Sequence, residues 1–164
     1  MTETEKFLRE AFAGESQANR KYTAFAAQAE GEGLSQAARL FRAAAEAEAV
    51  HAANHLRALR AIKTTKENLR EAIAGETHEF KEMYPDMIAT ARAEGAKEAE
   101  RSFGYASAVE EHHARLYHDL LENLESKESY PYFVCPVCGM TVEKEAPERC
   151  PVCGAKGSMF RKIE

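Results

Sequence analysis

The stretch FRAAAEAEAVHAANHLRALRAI, residues 41–62, decides the fold. Sampled at alternating steps of three and four it gives Phe41, Ala44, Glu48, His51, His55, Ala58 and Ile62, one face of an α-helix. Such a face should pack against neighbours, yet Glu48 and His51 stand at its centre. The same sampling repeats the anomaly elsewhere. One segment gives Leu8, Ala11, Glu15, Ala18, Tyr22, Phe25 and Ala29, and another gives Leu69, Ile73, Glu76, Phe80, Met83 and Met87. A last one gives Phe103, Ala106, Glu110, His113, Tyr117, Leu120 and Leu124. Every stripe carries a glutamate in its middle, while Met83 and Met87 read as core packing.

Gly31-Glu32-Gly33, the polar break around Thr64, and Gly95 separate these stripes into four helices of about 25 to 30 residues. Thr64 and Glu67 have the spacing of a capping box, so a helix should start there. Short breaks between long helices indicate a helical bundle. The bundle also repeats itself. Ala13-Gly14-Glu15-Ser16 recurs as Ala74-Gly75-Glu76-Thr77, an offset of 61, whereas Glu48 and His51 recur as Glu110 and His113, an offset of 62. Two helical hairpins descend from one. Tyr22 and Tyr84 are also 62 apart, so one extra residue enters between Glu76 and Tyr84, just before Pro85. An insertion inside a helix is commonly absorbed as a π-bulge, which is predicted here and would help Glu79 reach the same point as Glu76.

Four carboxylates at matching heights in a core demand a counter-charge, because an unpaired buried carboxylate costs several kcal/mol and like charges add to it. Lys and Arg are missing from the stripes, so bound cations are the natural answer. Glu48-x-x-His51 and Glu110-x-x-His113, with one carboxylate each from Glu15 and Glu76, form the di-iron or di-manganese carboxylate pattern. An oxygen-rich set with two imidazoles disfavours zinc and copper. Glu79, three residues after Glu76, would be a seventh ligand, its alternative being a solvated glutamate beside the core. His112 lies one position off its stripe and is expected to be exposed. His55 reads as a core histidine or a support for the site, and His78 and His118 carry no case.

The C-terminal segment differs in kind. All four Cys and four of the five Pro lie beyond residue 130. Cys135-Pro-Val-Cys138-Gly139 and Cys150-Pro-Val-Cys153-Gly154 are paired knuckles whose thiolates make a tetrahedral four-sulfur site for iron or zinc. From these residues alone a structural zinc ribbon competes evenly with an iron site. A domain boundary is expected within residues 125–131.

Composition excludes other classes. The 164 residues carry a net charge of −5 and a pI of 5.8, with cations scattered among acids, so nucleic acid is not an expected partner. No apolar run approaches the ~20 residues of a membrane helix, and MTETEKFLRE is too charged for a secretory signal; a cytoplasmic protein with no membrane partner is expected.

Taken in order, AGES at 13–16, EAVH at 48–51, AGETHE at 74–79, EEHH at 110–113 and the two CPVCG knuckles resemble the rubrerythrins over essentially the whole chain. The resemblance implies a mainly α protein: a ferritin-like four-helix bundle over residues 1–125, a linker at 126–131, and a small C-terminal rubredoxin-like four-cysteine iron domain at 132–164. It also moves the tail metal to iron. Carried onto matching positions, Glu48 and Glu110 would bridge two irons, Glu15 would be terminal on one, and Glu76 with His113 would complete the other. Glu79 and His51 would be the carboxylate and histidine exchanged at the first iron between redox states, and Tyr22 and Tyr84 the tyrosines beside the site. The connection near Thr64 is shorter than in longer members and the knuckle spacing one residue tighter, but no ligand is lost.

The implied activity is reduction of hydrogen peroxide to water at the di-iron site, with electrons returned through the Cys135, Cys138, Cys150 and Cys153 iron. No Gly-rich dinucleotide fingerprint is present, so NADH would be oxidised by a separate reductase, with a rubredoxin or a flavoprotein as external electron donor. An iron-oxidising storage protein, or a non-catalytic helical module with a zinc ribbon, are the alternatives. In the ferritin-like topology the second and third helices run parallel, which demands a return path of roughly 33 Å. Three or four extended residues near Thr64 reach only about 10 to 14 Å. A homodimer with exchanged hairpins is therefore expected; an up-down-up-down monomer is its rival.

Overall fold

The computed structural model describes residues 1–126 and 128–164; Lys127, in the expected linker, lies outside them. Two compact units divide the chain, Met1–Lys63 and Thr64–Glu164.

The first unit is a hairpin of α1 (Glu3–Gly31) and α2 (Ser35–Ala58). A capping box between Thr2 and Glu5 starts α1, and Gly33, at φ 74°, turns the chain toward α2. Its buried seam is built of alanine alone: Ala26, Ala29, Ala38, Ala45 and Ala52. Small side chains let the helix backbones approach, and Asn19 Nδ2 donates to the Ala45 carbonyl across the seam at 2.7 Å. The larger members of the stripes are half-buried or exposed, Phe25 at 47%. Two helices side by side cover only the flank of each stripe that faces the neighbour. Helix α2 ends in a Schellman motif, with Ala61 N bonding Leu56 O and Arg60 N bonding Arg57 O around Arg60 at φ 52°. Ile62, expected on the packed stripe, therefore falls beyond the helix and is 58% exposed.

The second unit opens with α3 (Thr65–His78), capped by the expected Thr64–Glu67 box. A π-helical turn follows over Glu79–Met83, then α4 (Tyr84–Ala93). The Tyr84 amide bonds the Glu79 carbonyl, an i to i−5 bond, so the inserted residue is absorbed where the repeat offset changes. Pro85 sits in the first turn beyond it, where a missing donor is tolerated. Gly95, at φ 70°, matches Gly33 and leads into α5 (Lys97–Glu122). Met87, expected in the core, is 39% exposed, although Ala91, one turn further along α4, is buried.

The repeat is visible atom by atom. Ser16 Oγ bonds Phe12 O and Thr77 Oγ1 bonds Ile73 O, both before the insertion. After it, Tyr22 and Phe41 rings lie 6.2 Å apart at 35°, and Tyr84 and Phe103 rings 6.3 Å apart at 37°.

The C-terminal module is a three-stranded antiparallel sheet in the order β2-β1-β3, from β1 (Tyr132–Val134), β2 (Thr141–Glu143) and β3 (Arg161–Ile163). Its core of Cys135, Met140 and Cys150 includes Val109 from α5, which is 2% exposed. Among the described residues no helix is long and apolar enough to cross a membrane.

Candidate metal centres

In the first unit Glu15 from α1 meets Glu48 and His51 from α2, with one donor atom of each within 4.8 Å of the others. His51 Nδ1 lies 2.8 Å from Glu48 Oε2, since residues three apart share a helix face. Its side chain is 53% exposed. In the second unit Glu76 from α3 meets Glu110 and His113 from α5 in the same way. His113 Nδ1 lies 2.9 Å from Glu110 Oε2 and 3.8 Å from Glu76 Oε1, and its side chain is 25% exposed. The candidate ligands are thus brought together as two triads, one in each unit. Glu79, the first residue of the π-turn, belongs to neither triad but its charge acts on the second.

The second triad is electrostatically strained. Burial, a hydrogen bond with Glu110, and the negative charges of Glu110 and Glu79 raise the Glu76 carboxyl to about 7, against a lowering by His113. Burial and the Glu79 charge likewise push Glu110 up. Two tyrosines face these acids. Burial, then Glu79, Glu110 and Glu76, raise Tyr84, and burial, then Glu76 and Glu110, raise Tyr117. Tyr22 sits against Phe41 and Phe25. Tyr117 was visible in the sequence only as a stripe residue four positions after His113.

Among the described residues no Lys or Arg pairs with Glu15, Glu48, Glu76 or Glu110. Crowded carboxylates facing an imidazole nitrogen, without an organic cation, are a donor set suited to hard divalent ions, and the site fits iron.

The four sulfurs fit a single ion. Cys135 Sγ lies 3.6 Å from Cys153 Sγ, and Cys138 Sγ lies 3.5 Å from Cys150 Sγ. Metal–sulfur bonds of about 2.3 Å in a tetrahedron place sulfurs roughly 3.75 Å apart. Each knuckle closes identically: Gly139 N bonds Cys135 O, and Gly154 N bonds Cys150 O, with both glycines at positive φ. Burial pushes the Cys150 thiol up, but the amides of Cys153 and Val152 outweigh it and bring it down to about 7. Those amides prepare Cys150 for thiolate, whereas burial pushes Cys153, in the same knuckle, and Cys138 up.

His112 corrects the sequence expectation. It is half-buried, and its Nε2 is fully enclosed without a hydrogen-bond partner. The face of α5 bearing it receives the C-terminal module, which helical periodicity does not reveal. Thr141 of β2 likewise meets His113, its Oγ1 2.9 Å from His113 Nε2.

Helical hairpins carrying Glu/His triads, joined to a tetrathiolate module, define a ferritin-like di-iron oxidoreductase with a rubredoxin-like iron site. The family model for rubrerythrin matches residues 6–121, and that for the rubrerythrin rubredoxin-like domain matches residues 133–161. The chain belongs to the rubrerythrin family. It is 38% identical to rubrerythrin-2 of Clostridium acetobutylicum, over 96% of this chain and 95% of that protein. It is 36% identical to the rubrerythrin of Porphyromonas gingivalis, over 99% and 91%. A mixed-valence state of nigerythrin superposes with a TM-score of 0.61 at 31% identity, covering 99% of this chain and 88% of that one. The cofactors are accordingly two irons in a carboxylate site and one in the four-cysteine site.

Proposed function

We propose that the chain is a cytoplasmic peroxidase that reduces hydrogen peroxide to water, taking electrons from an external rubredoxin or flavoprotein reductase through its four-cysteine site. The observation that carries this reading is the position of Val109. It lies in the core around Cys135 and Cys150, and its neighbour along α5 is Glu110. A tetrathiolate seated on the carboxylate helix suits electron delivery, which iron storage does not need.

Glu15, Glu48 and His51 would hold metal from the first hairpin, and Glu76, Glu79, Glu110 and His113 from the second. The bound iron pair supplies two electrons to hydrogen peroxide, which with two protons yields two waters. By the resemblance, Glu48 and Glu110 would be shared between the two ions, while Glu15, Glu76 and His113 would each serve one of them. By the same resemblance the half-exposed His51 and Glu79, at the π-turn, would be the pair exchanged as ligands between redox states. The Tyr84 hydroxyl, facing Glu79, Glu110 and Glu76, keeps its proton and offers it as a hydrogen bond toward the site; Tyr22 holds the matching place on the first hairpin.

The two triads are proposed to unite across a homodimer with exchanged hairpins. With α2 ending at Leu59, a parallel α3 requires a return of about 28 Å between the heights of Leu59 and Thr65. The six steps joining them reach at most about 20 to 22 Å. The connection is longer than the sequence suggested, yet still short. The alanine-only seam of the first hairpin, with its stripe half-exposed, supports a second layer of helices supplied by a partner.

Metal analysis of protein purified without added iron, followed by anaerobic titration of the reduced protein with peroxide, tests the reading. About three irons per chain, with both site types oxidised, is expected. Zinc among the four cysteines, or indifference to peroxide, would overturn it.

A further inference from the structure

The two histidines of the triads are held differently. His51 Nε2 has no hydrogen-bond partner among the described residues, whereas His113 Nε2 lies 2.9 Å from Thr141 Oγ1, on the four-cysteine module. The same hydroxyl donates to the Gly139 carbonyl at 3.1 Å.

The direction of this chain of bonds is fixed by its end. A carbonyl oxygen only accepts, so Thr141 must give its one proton to Gly139. Its lone pairs then face His113, and Nε2 must carry the hydrogen. In the neutral ring that leaves Nδ1 without a hydrogen, so its 2.9 Å bond with Glu110 Oε2 is accepted from the Glu110 carboxyl, with Glu76 Oε1 at 3.8 Å, and a cation would take that proton's place. A bare nitrogen against carboxylates is a binding position for a cation.

We infer that Thr141 is the positioning residue for His113: its hydroxyl fixes the ring and the tautomer that present Nδ1 to metal. This rests on the metal-site reading above. The thread has a second consequence. Gly139 follows Cys138 directly, so one peptide and two hydrogen bonds join a thiolate of one centre to an imidazole of the other. Gly139, at φ 85°, turns the knuckle, and a methyl there would stand 3.8 Å from Val109 Cγ1. The backbone that accepts from Thr141 is therefore seated on α5 as well. An outer partner of this kind orients a ligating histidine, and its loss typically costs about 10- to 100-fold in metal affinity.

The test uses the full chain loaded with zinc as a diamagnetic probe in both sites, comparing wild type, Thr141→Val and Thr141→Ser. Valine keeps the branched shape that a strand favours, and serine restores the hydroxyl. Histidine side-chain nitrogen spectra report protonation at Nε2 and metal at Nδ1 for each ring separately. In wild type and Thr141→Ser, His113 should show a bonded Nε2–H. In Thr141→Val that resonance should shift and zinc retention by the carboxylate site should fall about 10- to 100-fold, with His51 unchanged. Thr141→Val matching wild type in both measurements, or Thr141→Ser matching Thr141→Val, would overturn the inference. Peroxide indifference of the iron-loaded wild type, with His113 bonded as described, would instead overturn the proposed function and leave this inference standing.

Discussion

The two hairpins share a plan and differ in what leans on them. In the first, Glu15, Glu48 and His51 sit on a pair of helices sealed by alanine, with the histidine more than half exposed. In the second, the matching Glu76, Glu110 and His113 are accompanied by a π-turn on one side and the four-cysteine module on the other. The change is confined to a few positions. Val109 corresponds to Ala47 and His112 to Val50, both exposed in the first hairpin. A helix face that meets solvent on α2 has become a docking face on α5, and its histidine has acquired a fixed orientation. Among the described residues, the same ligand type is thus left without a partner at its far nitrogen on one hairpin and given one on the other.

The sharpest way to break the comparison is to remove one half from each of two chains. Glu48→Ala and Glu110→Ala homodimers should each lose the di-iron absorbance almost wholly. Under hairpin exchange, a mixed dimer concentrates both losses in one site and leaves the other intact, so mixing after unfolding and refolding should restore about one quarter of the full signal. That figure follows from half the dimers being mixed and half their sites being intact. No recovery on mixing, or a full iron complement on a stable monomer, would rule the exchange out.

Deleting Lys81 should convert the π-turn to regular helix and return the second hairpin to the first one's spacing. Helicity and the Tyr84–Phe103 pairing should persist, while iron retention at the carboxylate site falls several-fold, read by metal analysis after dialysis. An unchanged iron count would show that the turn has no part in holding metal.

The docking face can be probed by exchanging the paired residues. Val109→Ala should cost about 1.5 kcal/mol in denaturant unfolding of the second unit, at about 0.8 kcal/mol per methylene equivalent removed. Ala47→Val, exposed on α2, should change stability by less than about 0.5 kcal/mol. A Val109→Ala chain as stable as wild type or more so would mean that helix propensity outweighs any docking contribution of Val109.

The smallest effect is a pH dependence confined to the second triad. In the metal-free chain Glu76 holds its proton to about 7, against 4.5 when unfolded. Between those values the folded state binds more protons. The stabilisation is fully present below about 4.5 and is lost as pH rises through about 7. Glu76→Gln should flatten that slope, and divalent metal should abolish it by replacing the proton. A metal-free profile indifferent to the Gln substitution would count against the crowding described for this triad.

Much of this was legible in the sequence because it is periodic. Stripes at steps of three and four carried Glu15, Glu48, Glu76 and Glu110, and the shift of offset from 61 to 62 located the π-turn at Glu79–Met83. The knuckles were legible through spacing. What escaped depends on one module settling on another. His112 was expected in solvent and is half-buried, and Val109, Tyr117 and Thr141 drew no attention as parts of a site. No local pattern announces that β2 will meet α5. Ile62 escaped for the opposite reason, since its stripe continues in the sequence past the end of the helix.

The π-turn carries a consequence for ancestry. Two identical hairpins would offer a pair of metal ions identical surroundings, and neither ion would have reason to behave differently from its twin. A single inserted residue before Pro85 ends that equivalence. Beside it stands a glutamate that the other half lacks, a substitution rather than the inserted residue, since the position matching Glu79 is Ala18. Broken symmetry of this kind takes one inserted codon and one substitution and leaves both hydrophobic stripes in phase, so a duplicated binder could acquire a directional centre without passing through a misfolded intermediate.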